Sequence, residues 1–240
     1  MRPSFTFYDC GESALLVDFR SHYSKTLSLA ILDAAGRLAK KDLPGLRECV
    51  PALSSLTVFY DPLELSRQRL AAEVETLFAA SRTIGGHGRT FEIPVLYGGE
   101  DGPDLDDVAA KAGIAPEEAA RLHASQLYHV YMLGFLPGFA YLGSVPAPLR
   151  LPRRATPRSR VPAGSVAIAS DLTAVYPLES PGGWHLIGST PVVLWDMARQ
   201  EEPLLKPGDR VRFVPVDSVE AGTLRQRAAA GWMPEPVEEG

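Results

Sequence analysis

Arginine is concentrated in one short stretch of this chain. The stretch RLPRRATPRSR contains no acidic residue and five arginines, namely Arg150, Arg153, Arg154, Arg158 and Arg160. Prolines alternate with the arginines, and their fixed backbone angle limits how far these side chains can collapse together. Guanidinium groups held in a fork suit a carboxylate or a phosphate. A run of charges can equally be a solvated surface, so the sequence predicts either an anion site or a basic loop.

Two further stretches place aromatic side chains on irregular backbone. GFLPGFAYLG, residues 134–143, contains three glycines, and YPLESPGGWHLIGSTP places Trp184 after a Pro-Gly-Gly turn. We expect Phe135 and Phe139 to belong to a barrel core and Tyr141 to offer a polar tip to a pocket. Trp184 is either a plug of the barrel or a part of the same pocket wall.

Three histidines could take part in chemistry. His123 lies near the end of a predicted short helix, where the helix dipole favours a positive charge. We expect a surface or capping histidine there, with a pocket acid or base as the alternative. His129 falls in a predicted strand and is expected to face solvent. His185 follows the Pro-Gly-Gly turn and could be either structural or functional.

Several common functional motifs are absent from the sequence. There is no HExxH, CxxC or EF-hand loop, so no metal site is predicted. GGWHLIGST has the glycine spacing of a phosphate-binding loop, but Ser189 stands where the lysine must be, which argues against a Walker site. Cys10 and Cys49 form no bridge or zinc pattern and are expected to be reduced thiols.

The net charge and the hydropathy of the chain limit the classes of partner that we expect. A net charge of −5 argues against nucleic acid as the main partner. The N-terminus lacks the apolar region of a signal peptide, and no run approaches the length of a membrane span. We therefore expect a cytoplasmic protein that has no membrane partner.

The first part of the chain reads as a small α+β domain at residues 1–82. Helical periodicity and strand-like runs alternate, which indicates an antiparallel sheet covered by two helices. The predicted strands are 5–9, 13–19, 46–50 and 55–61, and the predicted helices are 24–41 and 66–80. Ser24 is expected to cap the first helix. The glycine-rich residues 83–90 are predicted to be a linker.

The second part reads as a mainly-β domain at residues 91–220. After a first strand at 91–97 come two short helices, of which Asp104 can cap the first and Pro116 opens the second. Many short strands separated by proline and glycine then indicate a closed or partly closed β-barrel. The candidates are 127–135, 165–170, 173–178, 184–189, 191–196 and 210–216. Residues 221–240 are expected to be a poorly ordered tail.

Four stretches, taken in order, carry a family resemblance. GFLPGFAYLG, PRRATPRSRVPAGSVAI, YPLESPGGWHLIGSTP and LLKPGDRVRFVPV resemble the subunit-1 family of allophanate-hydrolase-type proteins. That family includes the B subunit of the bacterial ATP-dependent 5-oxoprolinase and the KipI inhibitor of a histidine kinase. A related module occurs in urea carboxylase. The resemblance covers nearly the whole chain and implies a small α+β domain followed by a cyclophilin-like β-barrel.

The resemblance also implies an activity and partners. Family members of the enzyme type pair with a subunit-2 homologue, the C subunit of 5-oxoprolinase, and a third subunit then completes the hydrolysis. ATP, with magnesium, would activate a small anionic lactam, 5-oxoproline, by phosphoryl transfer, a step that positioned cations stabilise. The alternatives are a KipI-like inhibitor and a subunit that acts on another small amide. A third alternative, prolyl isomerase activity, would rest only on the analogy with the cyclophilin fold.

The resemblance implies a role for each candidate residue. His123 and Arg154 are expected to be catalytic, and Arg154 and Arg160 to clamp a carboxylate or phosphate. The expected substrate-binding residues are Phe139, Tyr141, Arg153, Arg160, Tyr176, Gly182, Gly183 and Trp184.

Four positions depart from the family pattern. They are Ala140, Leu172, Ala174 and His185, where proline, glutamine, glycine and glutamine are usual. We expect all four to lie beside the pocket and to affect the identity of the substrate.

Overall fold

The structure, a computed structural model, describes residues 4–79, 88–197 and 203–237. The chain separates into two compact units, residues 1–87 and 88–240. Of the predicted linker at 83–90, residues 83–87 lie outside the described residues. No helix in the described parts of the chain is long and apolar enough to cross a membrane.

The first unit is the predicted α+β domain. Its elements are β1 (Thr6–Asp9), β2 (Ala14–Asp18), α1 (Lys25–Ala39), β3 (Leu46–Pro51), β4 (Ser55–Tyr60) and α2 (Arg67–Ala79). The four strands form an antiparallel sheet in the order β1-β2-β4-β3. The Ser24 hydroxyl accepts a hydrogen bond from the Leu27 N–H, which confirms the predicted cap of α1. The apolar sides of both helices and of the sheet share one core.

The second unit contains the remaining elements of the fold. They are β5 (Thr90–Tyr97), α3 (Leu105–Ala112), α4 (Pro116–Ala124), β6 (Leu127–Leu133), β7 (Ala140–Gly143), β8 (Arg158–Val161), β9 (Ser165–Ala169), β10 (Leu172–Val175), β11 (Ser180–Gly182), β12 (His185–Ser189), β13 (Arg210–Pro215), α5 (Ser218–Ala229) and β14 (Pro236–Val237). A short 3-10 helix, Ala147–Leu149, follows β7.

Seven of these strands close into a barrel. The order is β12-β9-β10-β7-β6-β13-β5, and pairing of β12 with the end of β5 closes the ring. β13 and β5 are parallel, whereas the other neighbours in the ring are antiparallel. β8 and β11 form a separate two-stranded ribbon. This confirms the predicted barrel and leaves the ribbon outside the closed sheet.

Two predictions about elements of this unit are wrong. Residues 191–196 form no strand, because Pro191 has no N–H and the Val192 N–H bonds to the Thr190 hydroxyl instead of a neighbouring strand. The expected disordered tail contains helix α5. Asp217 caps this helix by accepting from the N–H groups of Val219 and Glu220. Residues 238–240 of that tail lie outside the described residues.

Candidate substrate site

The second unit contains a small aromatic cavity that gathers most of the predicted substrate-binding residues. Its volume is about 240 Å³. Its walls are Phe135, Phe139, Tyr141, Arg153, Pro157, Tyr176, Pro181, Gly182, Gly183 and Trp184. Seven of the eight residues that we expected to bind substrate are in this set, and Arg160 is the exception. They come from the β6–β7 loop, β7, the arginine-rich loop, the segment after β10, the end of β11 and the turn that follows it.

Phe139 is the centre of the aromatic wall. The residue is 1% exposed, and its ring meets those of Tyr141, Tyr176 and Trp184 at centroid distances of 5.0, 5.2 and 5.8 Å. Tilted and edge-to-face pairs of this kind are favourable. Phe139 is therefore buried as predicted. Phe135 is not, because 62% of it is exposed at the edge of the same cavity, which corrects its assignment to the core.

Tyr176 presents a fixed hydroxyl next to the Pro-Gly-Gly turn. The backbone N–H of Trp184 donates to this hydroxyl oxygen, which leaves the O–H proton available to another acceptor. Burial raises the pKa of Tyr176 above its ordinary value despite the nearby Arg153 guanidinium, so the group is a neutral donor at physiological pH. A Cβ atom on Gly182 would lie 2.3 Å from this hydroxyl oxygen. Glycine at 182 is thus what allows Tyr176 to occupy this place.

Arg153 is the positive charge of the cavity. Its guanidinium acts on both Tyr141 and Tyr176, where it opposes the rise in pKa that burial causes. Among the residues that the structure describes, no carboxylate forms an ion pair with Arg153, whereas Arg154, Arg158 and Arg160 do form such pairs. The cavity therefore combines an aromatic wall, a donor hydroxyl and a cation.

Asp104 explains why Arg154 and Arg158 are not available to a ligand of this cavity. Its carboxylate accepts a hydrogen bond from Arg154 (2.7 Å), two from Arg158 (both 2.8 Å) and one from the Leu186 N–H (2.7 Å). Burial raises the pKa of Asp104, but the bonds and charges of these donors outweigh burial and hold the pKa below its ordinary value. The residue stands before α3 but does not cap it with its side chain, contrary to the prediction. Asp104 thus holds the side chains of Arg154 and Arg158 in place, a role that the sequence did not reveal.

Arg154 does not line the cavity, but its backbone bonds to one wall of it. Its N–H donates to the Gly183 carbonyl oxygen at 2.8 Å and so supports the turn that forms one wall. Its guanidinium points to Asp104 and does not line the cavity. The structure therefore gives Arg154 the position of a supporting residue.

Arg160 lies at a second cavity of about 340 Å³. It pairs with Glu179 at 2.7 Å through a side chain that is 75% exposed. This second cavity is also lined by Arg158 and Arg225, by hydroxyl-bearing residues and by two acidic residues. The structure therefore separates Arg160 from the other predicted substrate-binding residues.

His123 is fully buried inside the barrel domain, which corrects its expected surface position. Its Nε2 lies 2.9 Å from the Thr173 hydroxyl, which already donates its only proton to the Ala167 carbonyl oxygen. Nε2 must therefore carry the proton, and Nδ1 accepts from the Tyr97 hydroxyl at 2.7 Å. Burial lowers the pKa of His123 to about 3, so the ring is neutral. The structure does not bring His123 to the aromatic cavity.

The other two histidines are also buried. His129 is 4% exposed, so the prediction that it faces solvent is wrong; it meets the ring of Tyr131 at 4.9 Å. His185 is 4% exposed and donates from Nε2 to the Pro152 carbonyl oxygen at 2.9 Å. That bond holds the start of the arginine-rich loop against β12. His185 thus supports the loop that carries Arg153.

The four positions that depart from the family pattern do not line the cavity. Ala140, Leu172, Ala174 and His185 are all buried in strands of the barrel. Ala174 does not have the positive φ angle that would require glycine. Ala140 and His185 are each next in the chain to a lining residue, so these two lie beside the cavity, and the expected effect of all four positions on the substrate stays a prediction.

The described residues contain no group of three or more His, Cys, Asp or Glu side chains that could hold a metal ion. Cys10 and Cys49 are both free thiols. Burial raises the pKa of Cys49 to about 11, which leaves it a poor nucleophile.

Comparison with known proteins adds to this picture. Residues 5–205 match the model of the carboxyltransferase domain, subdomain C and D. The chain is 43% identical to the B subunit of 5-oxoprolinase from Escherichia coli O157:H7, over 87% of this chain and 94% of that protein. It is 40% identical to the B subunit of 5-oxoprolinase from Bacillus subtilis, over 90% of this chain and 95% of that protein.

A solved structure of lower identity shares the fold. The urea amidolyase of Kluyveromyces lactis is 18% identical over 99% of this chain and 16% of that chain, and its TM-score is 0.82. At this identity the likeness concerns the fold alone. The family model covers most of the chain, and the two 5-oxoprolinase proteins align over nearly their full lengths. The chain therefore belongs to the carboxyltransferase subdomain C and D family.

Proposed function

We propose that this chain is the subunit of an ATP-dependent 5-oxoprolinase that binds 5-oxo-L-proline. Together with the C subunit of that enzyme it would activate this lactam for ring opening to L-glutamate. The relatives that are named as B subunits of 5-oxoprolinase support this choice. The observation that carries it is the guanidinium of Arg153 in an aromatic cavity of about 240 Å³. That volume lies below the roughly 300–1,000 Å³ of sites for drug-sized ligands, as a small substrate requires.

The chemistry of 5-oxoproline matches the lining of the cavity. Its carboxylate would pair with Arg153, which offers several donors in a planar fork. Its ring methylenes would pack on Phe139 and Trp184, which are buried. The Tyr176 hydroxyl would supply a further hydrogen bond to an oxygen atom of the ligand. In this arrangement the chain binds and orients the lactam.

The second cavity of this unit is the candidate place for the phosphate groups of ATP. The second cavity is lined by Arg158, Arg160 and Arg225 and by the hydroxyl-bearing residues Ser165, Ser189 and Thr190, which are side-chain types that can donate to phosphate oxygens. Two carboxylates, Glu100 and Asp101, line the same cavity. Each of the three arginines is already paired with a carboxylate, Arg158 with Asp104, Arg160 with Glu179 and Arg225 with Asp101, so this cavity alone does not fit a phosphate. Bound ATP would supply the phosphoryl group. We place the complete nucleotide site in the assembled complex of this chain with its partner subunits.

The proposal is tested on the assembled enzyme. The chain is co-expressed with the C subunit and the third subunit of the enzyme, and ATP hydrolysis that depends on 5-oxo-L-proline is measured. A hydrogen-bonded charge contributes about 1.5–3 kcal/mol, so we expect Arg153→Gln to raise KM for 5-oxoproline by about 10- to 100-fold. Arg212→Gln is the matched control, because it removes an exposed ion pair with Glu92 from the same unit.

Two results would contradict the proposal. If the wild-type complex with all three subunits shows no 5-oxoproline-dependent turnover, the substrate is wrong. If turnover is present and Arg153→Gln has the same KM as the wild type, the cavity is not where the carboxylate binds.

A further inference from the structure

Phe135 has a backbone conformation that is rare for an aromatic residue. Its φ angle is 71°, in the left-handed region that glycine and asparagine favour. A bulky side chain raises the energy of this conformation. The residue is also 62% exposed, so burial of the ring contributes little to offset the strain. A strained and exposed phenylalanine calls for an explanation other than stability.

The loop around Phe135 holds it in this conformation. The Gly134 N–H donates to the Phe139 carbonyl oxygen at 3.1 Å, and the Phe139 N–H donates to the Leu136 carbonyl oxygen at 3.0 Å. Gly138 packs so closely that a Cβ atom there would lie 2.5 Å from the Cβ of Trp195. The loop is therefore closed on both sides of Phe135, and it directs the ring to the edge of the cavity.

The ring of Phe135 completes the apolar side of the cavity. It meets the ring of Phe139 edge-on, with a centroid distance of 5.4 Å and an interplanar angle of 85°. Both rings line the cavity that contains Arg153. A ligand that pairs its carboxylate with Arg153 would place its remaining atoms among aromatic rings, of which Phe135 is the exposed one. Apolar atoms of a ligand gain free energy from such a wall, whereas a wholly polar amide does not.

We propose that Phe135 is a specificity-determining residue, which covers the bound ligand and selects small carboxylates that carry a saturated ring over open-chain or wholly polar amides. This inference rests on the proposed function, since it concerns the same cavity, and it adds the basis of selection. The strained loop keeps the ring over the mouth of the cavity before the ligand binds. Selection then comes from contact between the ring of Phe135 and the methylene groups of the ligand.

The test compares two ligands and two variants by calorimetric titration of the full chain. 5-Oxo-L-proline and N-acetylglycine both carry an amide and a carboxylate, but only the first has the closed ring. Loss of a methylene group from an apolar site weakens binding by about tenfold or more. We expect the wild type to prefer 5-oxoproline by at least about tenfold and Phe135→Ala to lose most of that preference. Phe135→Leu should keep most of it, and Val219→Ala, an exposed apolar control, should keep all of it.

Other results would contradict the role of Phe135, the proposed function or both. If Phe135→Ala keeps the wild-type preference, or if the wild type binds both ligands equally, the inference is wrong and the proposed function stands. If the wild-type chain binds neither ligand, the inference is refuted, and turnover of 5-oxo-L-proline by the assembled enzyme then decides whether the proposed function stands. If Phe135→Ala keeps the preference but no longer co-purifies with the C subunit of the enzyme, Phe135 is a partner contact instead. Circular dichroism of each variant checks that the fold is intact.

Discussion

The strongest test of the structure is to remove the negative charge of Asp104. Its side chain is 6% exposed, and it accepts three hydrogen bonds from two guanidinium groups and one from a backbone N–H. In Asp104→Asn the amide keeps the shape, but it carries no charge and turns a donor towards donors. Breaking a buried ion pair by removing one partner costs about 3–5 kcal/mol. The side chains of Arg154 and Arg158 keep 31% and 25% exposure, so water partly replaces the lost partner.

We therefore expect Asp104→Asn to lower the free energy of unfolding of the second unit by about 3 kcal/mol. For a unit of this size, that loss corresponds to a fall in melting temperature of about 6–12 °C. Thermal unfolding followed by circular dichroism measures the change. The control is Asp101→Asn, because Asp101 is 30% exposed and pairs with Arg225, which is 47% exposed. An exposed pair of this kind contributes at most about 1 kcal/mol.

The pH dependence of this difference identifies its cause. The pKa of Asp104 is held below its ordinary value in the folded chain. Its contribution is therefore fully present above the ordinary carboxyl pKa, and it is lost as the pH falls through the lower, folded pKa. The gap between wild type and Asp104→Asn should stay constant near neutral pH and shrink in acid. A gap below about 1 kcal/mol at pH 7, or one that does not change in acid, would refute the ion-pair reasoning.

Two further predictions concern the walls of the cavity and the barrel interior. Gly182→Ala should weaken binding of 5-oxoproline and destabilise the fold, because the new Cβ would lie 2.3 Å from the Tyr176 hydroxyl oxygen; Gly183→Ala should be nearly neutral, since its nearest neighbour is 3.7 Å away. Calorimetry and thermal unfolding of the two variants measure the difference, and equal effects would contradict the assigned geometry. Burial holds the pKa of His123 at about 3, so its imidazole NMR signals should not shift between pH 5 and 8. Below the ordinary histidine pKa the unfolded chain takes up a proton that the folded chain does not, so this residue should lower stability as the pH falls; a titration midpoint near 6.5 would show that His123 is not buried.

Much of the fold follows from local patterns in the sequence. Periodicity of apolar residues located both helices of the first unit, because each helix buries one face. Short apolar runs separated by proline and glycine located most barrel strands. The errors occurred where a local pattern had a different cause. In residues 191–196, the apolar side chains of Val192 and Leu194 are buried in the core, but this segment is not a strand of the barrel. The C-terminal helix has a weak apolar side, so composition alone suggested a tail.

The aromatic wall of the cavity could also be found from the sequence. Aromatic residues on backbone that glycine and proline make irregular are hard to explain as regular strand or helix, and Phe139, Tyr176 and Trp184 do meet at one place. The pattern did not separate Phe135 from Phe139, because the two residues have the same type and similar neighbours. Only the closure of the loop shows that one ring is exposed and the other buried.

The sequence by itself determined the fold class and the family, and it predicted a cation-rich loop near aromatic residues. Only the tertiary structure decided which arginine faces the aromatic cavity. Arg153 and Arg154 are adjacent in the chain, yet Arg153 lines the cavity and Arg154 pairs with Asp104, fifty positions earlier. His123 was likewise assigned to the surface from its helix, and its burial depends on strands that follow it. Charge pairing and burial are set by distances between remote segments, and no local pattern contains those distances.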